Sequence, residues 1–385
     1  MMRRYATRPA RRLTRQASSS YAGIVRCVQC VVQGARTFQL WYPRALLVAA
    51  ACLILPVWNL VGHPPGRTVQ AAWIYEQPGG DTGCAFDTPF GFFHRGLSEA
   101  SDLLIYFQGG GACWEWVSCS GLFDTDVARD EVAEYSGIFD SANTANPFRS
   151  FAVVFVPYCT GDVHVGDATR RYGEDEAAVP VAHRGYRNVT AVLDWIEARI
   201  DPQRVVVAGA SAGSYGALFY TPEIARRFPT ATTFMIGDSG VPLLHNYAEV
   251  LRHWGAAAVL RKLWGTDEVP QGVQLSLVAA HKRASQGGSV RLAQITSDRD
   301  VVQSAFYLVS GSPGWREATY EILDDVEASV SGFHSFVVAG SDHGLLRTDR
   351  FYEYAAGGIS LSDWIADFID GKTVATVRCD ECTVR

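Results

Sequence analysis

The segment Val205-Val-Val-Ala208-Gly209-Ala210-Ser211-Ala212-Gly213 constrains this chain more than any other. Four apolar residues, Val205 to Ala208, have the length and the lack of alternation of a buried strand. The pattern then predicts a helix over Ala212 to Arg227, closed by Pro229. Between the two lies Gly-x-Ser-x-Gly, which in a strand–turn–helix setting holds a serine on a sharp bend. Side chains at 209 or 213 would collide with the neighbouring strand or helix. The bend forces Ser211 into a strained backbone conformation, and free N–H groups at the helix start face charge developing beside it. The bland alternative is a small-residue helix cap with Ser211 as N-cap. The flanking strand and helix favour a nucleophilic Ser211.

A second segment agrees. Leu103-Leu-Ile-Tyr-Phe107 reads as a strand and runs into Gln108-Gly109-Gly110-Gly111-Ala112-Cys113-Trp114. Three glycines after a strand free backbone N–H groups to face a ligand. Gly110, Gly111 and the N–H of Ala212 are therefore the expected oxyanion hole. Alone, a glycine run is more often an ordinary loop.

A serine nucleophile of this kind needs an acid and then a histidine further along the chain. The strand Arg291-Leu-Ala-Gln-Ile-Thr296 leads into Ser297-Asp298-Arg299-Asp300, and Ser335-Phe-Val-Val-Ala339 leads into Gly340-Ser341-Asp342-His343. Each group lies just past the carboxyl end of a strand, on the sheet edge that carries Ser211. His343 is the expected general base, with a carboxylate fixing its tautomer. Position alone leaves both Asp298 and Asp300 open. Asp342 reads as a solvated loop charge, and His334 belongs at the opposite sheet edge.

Taken together, these residues resemble the family of pectin acetylesterases and Notum carboxylesterases, most closely its bacterial members. The resemblance rests on Gln108-Gly-Gly-Gly-Ala-Cys113-Trp114, on Val156-Pro-Tyr-Cys159-Thr-Gly-Asp-Val163, on the elbow at 209–213 and on Asp300-Val-Val-Gln303. It covers about residues 69–385. It implies an α/β-hydrolase fold and an Asp-x-x-Gln acid, which Asp300 fits and Asp298 does not. It departs at Gln108, where plant and animal members often carry an acid, and at Ala112, near which a larger aromatic is common. The departures touch the substrate rather than the chemistry.

Alternating strands and helices argue for α/β architecture, a mostly parallel sheet with helices on both faces and a helical insertion. Candidate strands are 69–75, 103–107, 151–157, 205–208, 232–236, 291–296 and 335–339. A helix at about 181–200 turns Val189, Val192, Leu193 and Ile196 inward. The region 241–290, with Trp254 and Trp264, sits where a cap is usually inserted, its aromatics serving the core more than a pocket.

The N-terminus is a different object. Residues 1–44 hold nine arginines and no Lys, Asp or Glu, a composition that cannot bury a core and reads as disordered. Without those nine, 25 of the 34 basic residues face all 40 acidic ones, and nothing suggests nucleic acid. Residues 45–61 form an apolar run close to the minimum for a spanning helix. The arginines before it would stay cytoplasmic, so the run reads as a signal anchor, or as a cleaved signal peptide, with residues 62–68 as linker. Both place the 69–385 domain outside the cytoplasm and tie the chain to a membrane at least transiently.

Six cysteines fall in that domain: 84, 113, 119, 159, 379 and 382. An even number in an exported domain favours disulfides. The family resemblance implies Cys113–Cys119; Cys84–Cys159 and Cys379–Cys382 are the next choices. No second ligand pair supports zinc at Cys379-x-x-Cys382, and no motif signals a metal or cofactor. His164, His183 and His245 read as loop or core hydrogen-bonding groups, and Asp238 as a buried carboxylate that orders a loop.

The expectation is a serine carboxylester hydrolase that removes O-acyl groups, acetyl first, from a glycan through Ser211, Asp300 and His343. The alternatives are an esterase of lipid- or protein-linked acyl groups, and, in another class, a non-catalytic glycan-binding envelope protein.

Overall fold

In a computed structural model of the protein the described residues are 72–379, apart from 99, 176–177, 242–246, 267–276, 287 and 289. The chain divides into Met1–Gln70 and Ala71–Arg385, and the described residues all belong to the second unit. The basic segment 1–44, the apolar run 45–61 and the linker 62–68 lie outside them. Among the described residues no helix is long and apolar enough to cross a membrane.

Eight strands form the central sheet: β1 (Ile74–Glu76), β2 (Phe92–Arg95), β3 (Asp102–Phe107), β4 (Ala152–Val156), β5 (Arg204–Ala210), β6 (Thr232–Asp238), β7 (Val290–Ser297) and β8 (Phe333–Val338). Their order is β1-β2-β4-β3-β5-β6-β7-β8. The pairs β1/β2 and β2/β4 are antiparallel and all others parallel. This is the α/β-hydrolase architecture that the resemblance implied. The central strands are buried on both faces, which is why Val205–Val207 and Val153–Val154 read as unbroken apolar runs.

Among the described residues eight helices of seven residues or more cover or extend the sheet: α1 (Gly185–Glu197), α2 (Ala212–Arg227), α3 (Tyr247–His253), α4 (Ala256–Trp264), α5 (Leu277–Ala284), α6 (Val301–Val309), α7 (Trp315–Ser329) and α8 (Leu361–Ile369). On one face, Tyr106, Phe155, Val206, Ile236 and Phe336 pack with Trp364 and Phe368 of α8. Each such side chain contributes roughly 1.5–3 kcal/mol when fully buried. The insertion after β6 supplies α3, α4 and α5, and both α4 and α5 pack on α2.

Three elements differ from the sequence reading. The helix expected at 181–200 begins at Gly185, because Val179–His183 instead pairs antiparallel with Ala168–Tyr172 as a small hairpin. Its four expected inward residues are nonetheless all buried. Strand β2 was not expected: Phe92-Phe-His-Arg95 is short and buried throughout, so it carries no alternation. The first strand, expected at 69–75, lies at 74–76.

Disulfides Cys84–Cys159 and Cys113–Cys119 are formed. Cys379 is also disulfide-bonded; Cys382, its expected partner, lies outside the described residues.

Candidate active site

The sheet order reverses direction around β3: β4 lies on one side of it and β5 on the other. The glycine loop leaves β3 and the Ser211 bend leaves β5, and Phe107 is paired with Gly209 across the two strands. Ligands in open α/β sheets bind in the crevice past the strand ends at such a reversal.

Ser211 has φ 56° and ψ −123°, a conformation L-residues rarely hold. The close approaches expected at the flanking glycines are present. A Cβ at Gly209 would lie 2.2 Å from the carbonyl oxygen of Gly213, and one at Gly213 would lie 2.0 Å from that of Phe107. Gly111 has φ +77°, and a Cβ there would fall 1.8 Å from the Leu122 carbonyl.

The structure brings Asp300, not Asp298, to the histidine. Nδ1 of His343 lies 2.8 Å from Oδ2 of Asp300, which is fully buried. Asp300 is the N-cap of α6, its Oδ1 accepting from the N–H groups of Val302 and Gln303. The Gln303 amide donates to Asp300 Oδ2 at 2.9 Å and to Thr296 Oγ1, while its Oε1 accepts from the Val241 N–H. The carboxylate therefore has several fixed donors, and the α6 N-terminus favours its charge. Asp298 accepts from the Gly340 N–H and pairs with Arg299 and Arg316. It fastens the turn after β8.

Ser211, His343, Gly111 and Ala212 line one cleft of about 600 Å³, open space at its mouth included. Val163, Tyr215, Tyr247, Trp254, Phe306 and Tyr307 make most of its wall. Gly110 packs behind it, against Asp124 and Tyr158, its carbonyl accepting from the Asp124 N–H. Trp254 is buried and lines the cleft, donating from Nε1 to the Cys113 carbonyl, whereas Trp264 packs on Phe219 within the fold.

The remaining candidates have structural partners. His164 is buried, and its Nε2 donates to the Gln108 carbonyl at 2.8 Å, bracing the glycine loop. Burial pushes its pKa down to about 4, as it does for His183, which bridges Tyr172 and Thr160. His245 lies outside the described residues. Asp238 orders a loop as expected: its Oδ2 accepts from the Leu346 N–H. Asp342 lies in a loop, partly exposed as expected. It pairs with Arg350 and accepts from the Tyr354 hydroxyl. Among the described residues no His/Cys/Asp/Glu group could hold a metal ion. Sequence reasoning missed the lining residues Tyr215, Tyr247 and Phe306, whose common location follows from folding the insertion and α6 over the sheet edge.

The pectinacetylesterase family model matches residues 81–276, about half of the chain. The chain belongs to this family. Its similarity to human palmitoleoyl-protein carboxylesterase NOTUM is 24% identity over 173 residues, 41% of this chain and 34% of that protein. To pectin acetylesterase 4 of Arabidopsis thaliana it is 26% over 168 residues, 41% of this chain and 40% of that protein. To the zebrafish (Danio rerio) carboxylesterase notum1a it is 24% over 151 residues, 37% of this chain and 29% of that protein. The chain thus spans between 29% and 40% of the length of these curated relatives. The matched region contains the glycine loop and the Ser211 bend, while Asp300 and His343 lie beyond it.

Proposed function

We propose that this family member is a serine carboxylester hydrolase. The observation that carries the reading is the 2.8 Å contact between His343 and buried Asp300 beside a cleft that Ser211 also lines. Ser211 Oγ attacks the ester carbonyl carbon while His343 Nε2 takes its proton. Asp300 holds the Nδ1–H tautomer and stabilises the imidazolium. The N–H groups of Gly111 and Ala212, both on the cleft wall, stabilise the oxyanion, and each such donor is worth roughly 3 kcal/mol in comparable sites. Collapse breaks the ester C–O bond, His343 returns its proton to the alcohol, and water, deprotonated by the same histidine, releases the acid. Nothing in this sequence calls for a cofactor.

The substrate reading is an O-acyl group, acetyl first, on a glycan. A named relative acts as a pectin acetylesterase. The second reading, a lipid- or protein-linked acyl ester, draws on the apolar and aromatic cleft wall and on the palmitoleoyl-protein carboxylesterases. The disulfides support work outside the cytoplasm, and the 45–61 run is proposed as signal anchor or signal peptide.

The test is turnover of 4-nitrophenyl esters of two to sixteen carbons by the full-length protein, beside Ser211→Ala, with fluorophosphonate labelling of Ser211. Activity and labelling lost in the variant are expected, and the chain-length optimum separates the two substrate readings. A folded, oxidised protein that neither turns over any ester nor labels at Ser211 would point instead to a glycan-binding protein.

A further inference from the structure

Seven described side chains carry a buried polar atom without a hydrogen-bond partner. Tyr247 alone among them lines the cleft. It opens α3, is only 6% exposed, and its ring stacks on Phe219 of α2 with centroids 6.4 Å apart. The packing is that of a phenylalanine. The hydroxyl adds nothing to it, and a buried hydroxyl left unpaired is a standing penalty that Phe would avoid. Burial also pushes its pKa well above the ordinary tyrosine value, so the phenol stays protonated and can donate. The cleft wall also carries Val163, Trp254 and Phe306, and the nearby Tyr215 phenol raises the Tyr247 pKa further.

We infer that the Tyr247 hydroxyl is a specificity-determining group that hydrogen-bonds an oxygen atom of the substrate inside the cleft. The inference rests on the ester-hydrolase reading and narrows it: the site selects oxygen-bearing esters over hydrocarbon isosteres. A site built to pair with a substrate oxygen discriminates far more strongly than an apolar pocket does, because the analogue leaves the protein group unpaired. The oxygen belongs either to the acyl half, as in a hydroxy- or alkoxyacyl group, or to the alcohol half, as in a sugar.

Isosteric pairs separate these sources. In the acyl arm 4-nitrophenyl methoxyacetate is compared with 4-nitrophenyl butyrate. In the alcohol arm 2-methoxyethyl acetate is compared with butyl acetate. The kcat/KM ratio within each pair is measured for the full-length wild type and for Tyr247→Phe, and dividing one ratio by the other cancels intrinsic reactivity. A quotient of about tenfold or more in one arm is expected, and that arm names the half that carries the oxygen. Quotients within about twofold of unity in both arms overturn the inference while leaving the hydrolase intact. If the variant does not fold, the wild-type ratios divided by those of alkaline hydrolysis serve the same purpose. A wild type that turns over none of the four esters and does not label at Ser211 overturns the hydrolase reading, and this inference with it.

Discussion

The backbone N–H of Ser211 donates to the carbonyl oxygen of Asp238 at 2.8 Å. The carboxylate of the same Asp238 reaches the histidine loop, accepting from Leu346 N–H at 3.0 Å. Its other oxygen accepts from Ser239 Oγ, which in turn accepts from Gly344 N–H at 3.0 Å. One fully buried residue thus ties the serine-bearing bend to the segment that follows His343. Ser239 sits at φ 52°, a second strained position beside the cleft.

Asp238→Asn should therefore damage rate more than binding. The amide keeps the Leu346 N–H contact only by turning its N–H₂ to Ser239 Oγ, which must then accept there and redirect its own O–H. A displacement of about 1 Å at a catalytic group can cost about 100-fold. We expect kcat to fall roughly 10- to 100-fold with KM changed by less than about threefold. Burial already raises the Asp238 pKa, so removing the charge offsets part of the lost hydrogen bonding and the melting temperature should move little. A raised KM at unchanged kcat would refute the positioning role.

Ser211→Gly should abolish turnover and stabilise the fold. Glycine adopts the φ 56°, ψ −123° conformation without the penalty that a side chain incurs there. Residues held in such regions cost of order 1–3 kcal/mol. Urea unfolding of the glycine variant should show a gain of about 1 kcal/mol over wild type, whereas Ser211→Ala, which keeps the Cβ, should gain much less. Equal stability of the two variants would mean that the bend is not strained.

Much of this was legible in the sequence, for identifiable reasons. The central strands announce themselves because a doubly covered parallel sheet leaves no alternation, as in Val205–Val207. The bend at Ser211 is legible because a Cβ at either flanking glycine would fall about 2 Å from a backbone carbonyl oxygen, so only glycine fits there. What was not legible depends on distance in the chain. The contact of Asp238 with Leu346 spans 108 residues. The helix start at Gly185 was misjudged because Val179–His183, with no alternation of its own, only becomes a strand once Ala168–Tyr172 is beside it. The partners of Asp342, Arg350 and Tyr354, were not legible because nothing local predicts them.

The two aspartates after β7 can be told apart by experiment. Asp300→Asn replaces an acceptor of the His343 Nδ1–H with a group able to donate, which favours the wrong imidazole tautomer. A loss of about 10⁴ in kcat is the benchmark for that change in a serine triad. Asp298→Asn leaves His343 untouched, and its partners Arg299 and Arg316 are half-exposed. We expect less than a fivefold effect on kcat there and a stability loss of about 1 kcal/mol from the weakened Gly340 contact. Comparable kcat losses in the two variants would remove the basis for assigning Asp300 as the acid.

Three buried histidines should set the acid limit of the fold. Burial lowers His164, His183 and His281 from the ordinary 6.5 to about 4. The unfolded chain therefore binds protons first as pH falls, and stability is lost between about 6.5 and 4. From pH 7 to pH 5 each histidine removes about 2 kcal/mol. Asp162 works in the opposite direction, because its pKa is pushed up to about 6 by burial, and it returns about 1 kcal/mol over the same interval. His281 is the one to test, since it packs on Phe333 and does not line the cleft. Its Nδ1 donates to the Leu277 carbonyl, while Nε2 has no partner among the described residues. In urea titrations at pH 7 and pH 5, His281→Leu should lose about 2 kcal/mol less than wild type on acidification. An identical loss in both proteins would show that His281 does not titrate as a buried neutral group.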